Sequence, residues 1–136
     1  MIAPLLDTHA WVWWVQGDRR LGARESAALD RLPPAERPAI SCISLWEVAT
    51  LVSLKRIEME TSFAAWLERA ASPRTVRILP LTAAVAAEVA ALPDTFHRDP
   101  ADRVIVASCR LWGLPLLSRD RGITASRLTK RWSARD

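Results

Sequence analysis

Short apolar runs alternate along the chain with longer stretches of helical periodicity. "IAPLL" at 2–6, "AISCI" at 39–43, "TVRILPL" at 75–81 and "PLLS" at 115–118 read as strands. Pro4 lacks a ladder donor and counts against a smooth central strand in the first of these. The intervening segments predict helices. One covers 9–16, capped by Thr8 and followed by Gly17, and a second covers 22–31 before Pro33 and Pro34 stop it. Others run from Ser44 to Lys55 and over 62–71. An alanine-rich helix capped by Thr82 ends by Leu92 and Pro93. The helix opened by Asp99 and Pro100 reaches Trp112, with Gly113 behind it. A short helix and a weak strand in "RLTKRW" complete the chain.

Strands alternating with helices predict an α/β domain with a mainly parallel central sheet. Ligands of such sheets bind outside the carboxyl ends of the strands. Asp7 follows the first strand, Glu47 lies one turn into the helix after the second, and Asp120 follows the strand at 115–118. Asp102, in the first turn of its helix, joins them if that helix begins at the same edge.

Composition narrows the class. The 136 residues suffice for one domain, 1–136, half of them hydrophobic and a quarter charged, which disfavours disorder. No basic n-region opens the chain and no apolar run approaches the roughly 18 residues of a membrane span, so it reads as cytosolic and not membrane-bound. Cys42 and Cys109 are far apart among apolar neighbours and read as reduced packing residues. The net charge of +4 comes almost wholly from arginine, since only Lys55 and Lys130 of the 19 basic residues are lysines. Arginine's planar fork suits phosphate and points to a polyanionic partner. Genomic base composition is the competing explanation for that enrichment.

Carboxylates crowded into a cleft drive one another toward protonation unless a cation neutralises them. Mg²⁺ or Mn²⁺ is the natural occupant, because these hard cations take oxygen ligands and water. Each acid also has a plainer reading. Asp7 is a possible helix cap, although Thr8 can do that work. Glu47 ends a capping box, Ser44-x-x-Glu47, in which it would reach back to the cap's own N–H. In "DPADR" Asp99 is the better cap, which leaves Asp102 as the better metal candidate, though a spacing of three keeps both near one helix start. Asp120, between Arg119 and Arg121, is otherwise a turn residue or a surface ion-pair partner.

His9 and His97 lack the spacing of a metal pair and any partner for a nucleophilic triad, so they read as structural although both lie beside candidate acids. The four glycines are dispersed, which disfavours a phosphate loop or dinucleotide fold. Seven tryptophans invite a base-stacking reading. Trp11 and Trp14 share a helical face with Val15 and are expected to pack. Trp13 points more nearly away and is a candidate for a protein interface.

Together, "LLDTHAWVWW", "SLWEVATLVSLKRIEM", "HRDPADRVIVASC" and "PLLSRD", in this order, resemble the PIN-domain family, specifically the toxin ribonucleases of VapBC toxin–antitoxin systems. The resemblance covers essentially the whole chain. It implies a single PIN domain with an α/β/α sandwich fold, a Mg²⁺- or Mn²⁺-dependent endoribonuclease activity, and inhibition by a cognate VapB-type antitoxin. It also implies a homodimer and products with a 5′-phosphate and a 3′-hydroxyl. Carried over by motif, Asp7, Glu47, Asp102 and Asp120 are the four acids, and Asp99 belongs to the same signature as either ligand or cap. Pro4, where relatives usually have an aliphatic residue, and the arginine-rich tail depart from the pattern.

The expected reaction is phosphodiester hydrolysis of tRNA or another structured RNA with single-stranded loops. Asp7, Asp102 and Asp120 would hold the metal, with Asp99 a further candidate, and Glu47 would orient or deprotonate water. Arg98, Arg103, Arg119 and Arg121 would steer the RNA backbone. Two rivals from other classes are a non-catalytic RNA- or protein-binding module and a phospho-acceptor receiver domain. The second needs a suitably placed lysine, for which Lys55 and Lys130 offer poor support.

Overall fold

The computed structural model describes residues 2–134. Its sheet has four parallel strands in the order β3-β2-β1-β4: β1 (Leu5–Leu6), β2 (Ala39–Ser41), β3 (Arg77–Leu79) and β4 (Leu116–Leu117). The helices are α1 (Thr8–Gln16), α2 (Ala23–Asp30), α3 (Ile43–Ser53), α4 (Phe63–Ala70), α5 (Ala83–Ala91), α6 (Pro100–Trp112) and α7 (Arg121–Ser126). The weak strand expected in "RLTKRW" is a single parallel bridge between Leu116 and Arg131. No helix among the described residues is long and apolar enough to cross a membrane.

β1 and β4 are shorter than their apolar runs because Pro4 and Pro115 stand at their entries, and Pro38 stands before β2. Pro4, Pro38 and Pro115 have no N–H to extend a ladder, but their carbonyls accept the first bonds of the neighbouring strands. Ala39 N–H donates to Pro4 O, Arg77 N–H to Pro38 O and Leu5 N–H to Pro115 O, each at 2.9 Å. Pro4 is therefore compatible with a central β1, which starts one residue later.

Within the pleat, successive side chains face opposite sides. Leu5 aligns with Ala39 and Leu116, and these pack with Val85, Val104 and Ile105 from α5 and α6. Leu6 aligns with Ile40 and Leu117 and packs with Trp11, Val48 and Trp66 from α1, α3 and α4. Helices thus cover both faces, and the strands are buried throughout β1, β2 and β4, as an all-parallel sheet requires. β3 is the exposed edge.

Two helix starts differ from expectation, and the start of α7, left open by the sequence, is now defined. Asp7, not Thr8, caps α1: Ala10 N–H donates to Asp7 Oδ1 at 2.9 Å. Ser44 is not a cap, because α3 already begins at Ile43, so the expected capping box with Glu47 does not form. Asp120 caps α7, with Ile123 N–H donating to its Oδ1 at 2.9 Å. Asp99 does cap α6, accepting from Asp102 N–H at 3.0 Å with Pro100 at the first helical position. Thr82 caps α5, and Gly17 and Gly113 end α1 and α6 in the left-handed conformation that glycine adopts most cheaply.

Candidate active site

The carboxyl edge of the sheet opens into a pocket of about 360 Å³. Asp7 reaches it from the end of β1, Glu47 from the second turn of α3, Asp99 and Asp102 from the start of α6, and Asp120 from the turn after β4. Five acids from four separate segments therefore line one cavity. Thr8, His9, Trp13 and Arg119 complete its wall.

Two hydroxyls knit the acids to the frame. Ser118, just past β4, hydrogen-bonds the Asp7 carboxylate, and its oxygen accepts Asp120 N–H at 3.0 Å. Thr8 Oγ1 donates to the buried Ser44 Oγ at 2.9 Å and also faces the Glu47 carboxylate. Ser44, released from capping, thus ties α3 to α1. Neither contact was visible in the sequence, since each joins residues distant along the chain.

The electrostatics record the crowding. Asp7 is only 6% exposed, and burial raises its pKa above the ordinary carboxylate value, against the lowering bonds from Ser118 and Ala10. Burial likewise raises Glu47, helped by the charges of Asp99 and Asp7 and opposed by Thr8. Asp102 is pushed up to about 7, first by burial and then by Asp99, with smaller contributions from Glu47 and Asp120. A hydrogen bond to His97 at 2.8 Å works the other way. Every acid of the pocket enters this network as a source of repulsion or as a group that feels it.

Such a site is stabilised by a cation. Its donors are hard oxygens, and Asp7, Asp99 and Asp120 each commit only one oxygen to a helix cap. Among the described residues no three His, Cys, Asp or Glu side chains are gathered tightly enough to form a ready cage. The donor set and the space suit a hard divalent cation that keeps several waters and takes only one or two carboxylates directly.

The arginines divide. Arg119 lines the pocket, held from behind by Glu25 at 2.7 Å and by the Leu21 carbonyl. Arg98 and Arg121 are exposed and do not line it. Arg103, expected on the RNA backbone, does not line the pocket. Its guanidinium donates to the carbonyls of Phe96, His97 and Val89 at 3.2–3.4 Å and lies over the Phe96 ring, so both terminal nitrogens are engaged inside the fold.

Trp11 is fully buried and donates its indole N–H to Ala70 O, and Trp14 donates to Asp30, in keeping with packing roles. Trp13, the interface candidate, lines the acidic pocket, its ring beneath the Arg20 guanidinium at 5.1 Å from the ring centroid. His9 also reaches the pocket wall, tilted against Trp13. Helical spacing alone assigned Trp13 to the face opposite the core without revealing what else approached it. Cys42 and Cys109 are free, and burial pushes the Cys109 thiol up to about 12.

Comparison with known proteins agrees with this architecture. Residues 5–127 match the PIN domain. Ribonuclease VapC22 of Mycobacterium tuberculosis (strain ATCC 25618 / H37Rv) is 35% identical over 127 residues, covering 93% of this chain and 94% of that protein. A chain of a toxin–antitoxin complex from Klebsiella pneumoniae superposes with a TM-score of 0.62 at 23% identity, over 98% of this chain and 99% of that one, which supports the fold. With an acid-lined pocket at the carboxyl edge of a parallel sheet, and with the family matched over nearly its full length, this chain belongs to the PIN-domain family, in its VapC branch.

Proposed function

We propose that this chain, as a single PIN domain, is the toxin of a type II toxin–antitoxin system and a divalent-metal-dependent endoribonuclease. The observation that carries the reading is the convergence of Asp7, Glu47, Asp99, Asp102 and Asp120 on one pocket. Kinship with a ribonuclease of the VapC branch supports it.

Asp7, Asp102 and Asp120 are the residues that would hold Mg²⁺ or Mn²⁺, with Asp99 as a further donor. When bound, the cation supplies an acidified water and neutralises charge developing on the phosphate. Glu47, half-buried with a raised pKa, is suited to orient the attacking water and accept its proton. Attack forms a new bond from water oxygen to phosphorus as the bond to the 3′ oxygen breaks. The leaving 3′ oxygen takes up a proton, which gives a 5′-phosphate and a 3′-hydroxyl. Arg119, which lines the pocket and is tethered by Glu25, would bind a phosphate oxygen of the RNA backbone. A tRNA or other structured RNA with a single-stranded loop fits an open pocket that must admit a backbone phosphate between acids. Such a substrate puts the work of the protein in the cytoplasm.

The partner is a VapB-type antitoxin whose C-terminal segment enters near the acidic pocket. The toxin–antitoxin assembly of a structural relative supports a partner of this kind. A homodimer is the proposed oligomeric form of the toxin.

Purified protein incubated with RNA and Mg²⁺ or Mn²⁺ tests the reading. Cleavage is expected to stop with EDTA and to fall at least about 100-fold in Asp7→Asn, which removes a charge but keeps a good helix cap. Cleavage that survives both treatments refutes the metal mechanism. RNA binding without hydrolysis, indifferent to metal, would instead identify a non-catalytic module.

A further inference from the structure

Resting on the metal-nuclease reading, a second group of residues acts behind the acids. His97 lies in the loop before α6, stacked on the buried Phe96 ring with centroids 4.3 Å apart. Its Nε2 is 2.8 Å from Asp102 Oδ2. The carbonyls of Phe96 and His97 are both held by Arg103 Nη1, which fixes the backbone from which the ring projects.

The Nδ1 edge of the ring is approached by α7 at Gly122. A Cβ placed on Gly122 would stand 2.9 Å from His97 Nδ1 and 3.2 Å from its Cε1, closer than folded proteins tolerate without movement. It would also stand 3.1 Å from Oδ1 of Asp120, the oxygen that caps α7. Alanine is a better helix former than glycine, so local propensity does not account for glycine in this first turn. The missing side chain accommodates the histidine.

From this packing we infer that His97 is a positioning residue for Asp102, and that Gly122 and Arg103 are the two walls that set its place. His97 occupies Asp102 Oδ2 and leaves Oδ1 as the oxygen available to the pocket. Because Gly122 belongs to the helix capped by Asp120, the arrangement also ties the α6 acid to the α7 acid, which come from segments far apart in the fold.

The experiment measures Mn²⁺ affinity of the full chain by calorimetry or electron paramagnetic resonance, without RNA, with folding checked by circular dichroism. His97→Ala and Gly122→Ala are each expected to weaken Mn²⁺ binding by on the order of 10-fold, the usual effect of losing an outer-shell partner. His97→Gln, whose amide nitrogen can take the place of Nε2, should recover part of the loss. The double variant should bind Mn²⁺ no more weakly than His97→Ala alone, because Gly122 acts through the ring. Wild-type affinity in either folded single variant overturns the inference, as does a double variant whose loss is the product of the two single losses. That last result would mean that the added Cβ acts on Asp120 directly. In these cases the wild type still binds Mn²⁺ and cleaves RNA, so the nuclease reading stands. A wild type that neither binds Mn²⁺ nor cuts RNA removes both.

Discussion

Asp7 does two things with one carboxylate. One oxygen caps α1 through Ala10 N–H, and the group as a whole sits at the floor of the acidic pocket beside Ser118. Capping and metal binding, weighed as alternatives from the sequence, are thus compatible, because a carboxylate has two oxygens. Glu47 is the opposite case. Its capping reading required Ser44 at the helix start, and that serine is instead one residue inside α3, bonded to Thr8. Glu47→Gln is therefore expected to leave stability within about 0.5 kcal/mol of wild type, while cleavage falls by roughly 10²–10⁴-fold. Chemical denaturation alongside a cleavage assay checks both halves. A variant that loses stability yet keeps full activity per folded molecule would return Glu47 to a purely structural role.

At the scale of elements, strands of two or three residues suffice because the lattice of proline carbonyls starts each ladder and helices bury both faces. Their work is to bring helix starts together. α1, α6 and α7 each begin with an aspartate cap that also lines the pocket, so the N-terminal dipoles of three helices favour negative charge there. Helix ends remote from the pocket should matter only for stability. Gly113 closes α6 at φ 65° with nothing within 4 Å of an added Cβ. Gly113→Ala should cost about 1 kcal/mol, the strain of a left-handed alanine, with cleavage per folded molecule unchanged. Urea unfolding and a cleavage assay measure the two effects, and a loss of activity without a loss of stability would contradict the separation. The glycine stops and the Asp99-Pro100 start were legible in the sequence because a single residue type meets a local backbone requirement. The true start of α3 was not, since the tertiary bond from Thr8 competes for Ser44.

Across the whole molecule, a net charge of +4 coexists with a concentrated negative site. The same crowding makes stability depend on pH. The Asp102 pKa is about 7 in the fold against an ordinary 3.8. Between those values the folded protein keeps a proton that the unfolded chain has lost, so unfolding free energy falls as pH rises, and the penalty is complete above about 7. Asp7 and Glu47, also raised, act in the same direction. Metal-free protein should therefore melt at lower temperature as pH climbs from about 4 to about 8, and saturating Mn²⁺ should raise the melting temperature more near pH 8 than near pH 5. Scanning calorimetry with and without Mn²⁺ at the two pH values decides this. Equal metal-induced shifts at both would mean that ion binding does not relieve the repulsion among the acids.

The sequence alone determined the alternation of strand and helix, the candidate acids and the edge of the sheet to which they belong, because those follow from local periodicity and the topology of parallel sheets. Tertiary structure decided what each group does with its second bond. It turned the Arg103 guanidinium to backbone carbonyls, put Trp13 in the pocket wall, and set His97 between Asp102 and Gly122. The physical reason is one of range. Most turns and helix stops are settled by neighbours within a few residues, whereas strand register, desolvation, charge repulsion and close packing depend on atoms that meet only when the chain has folded.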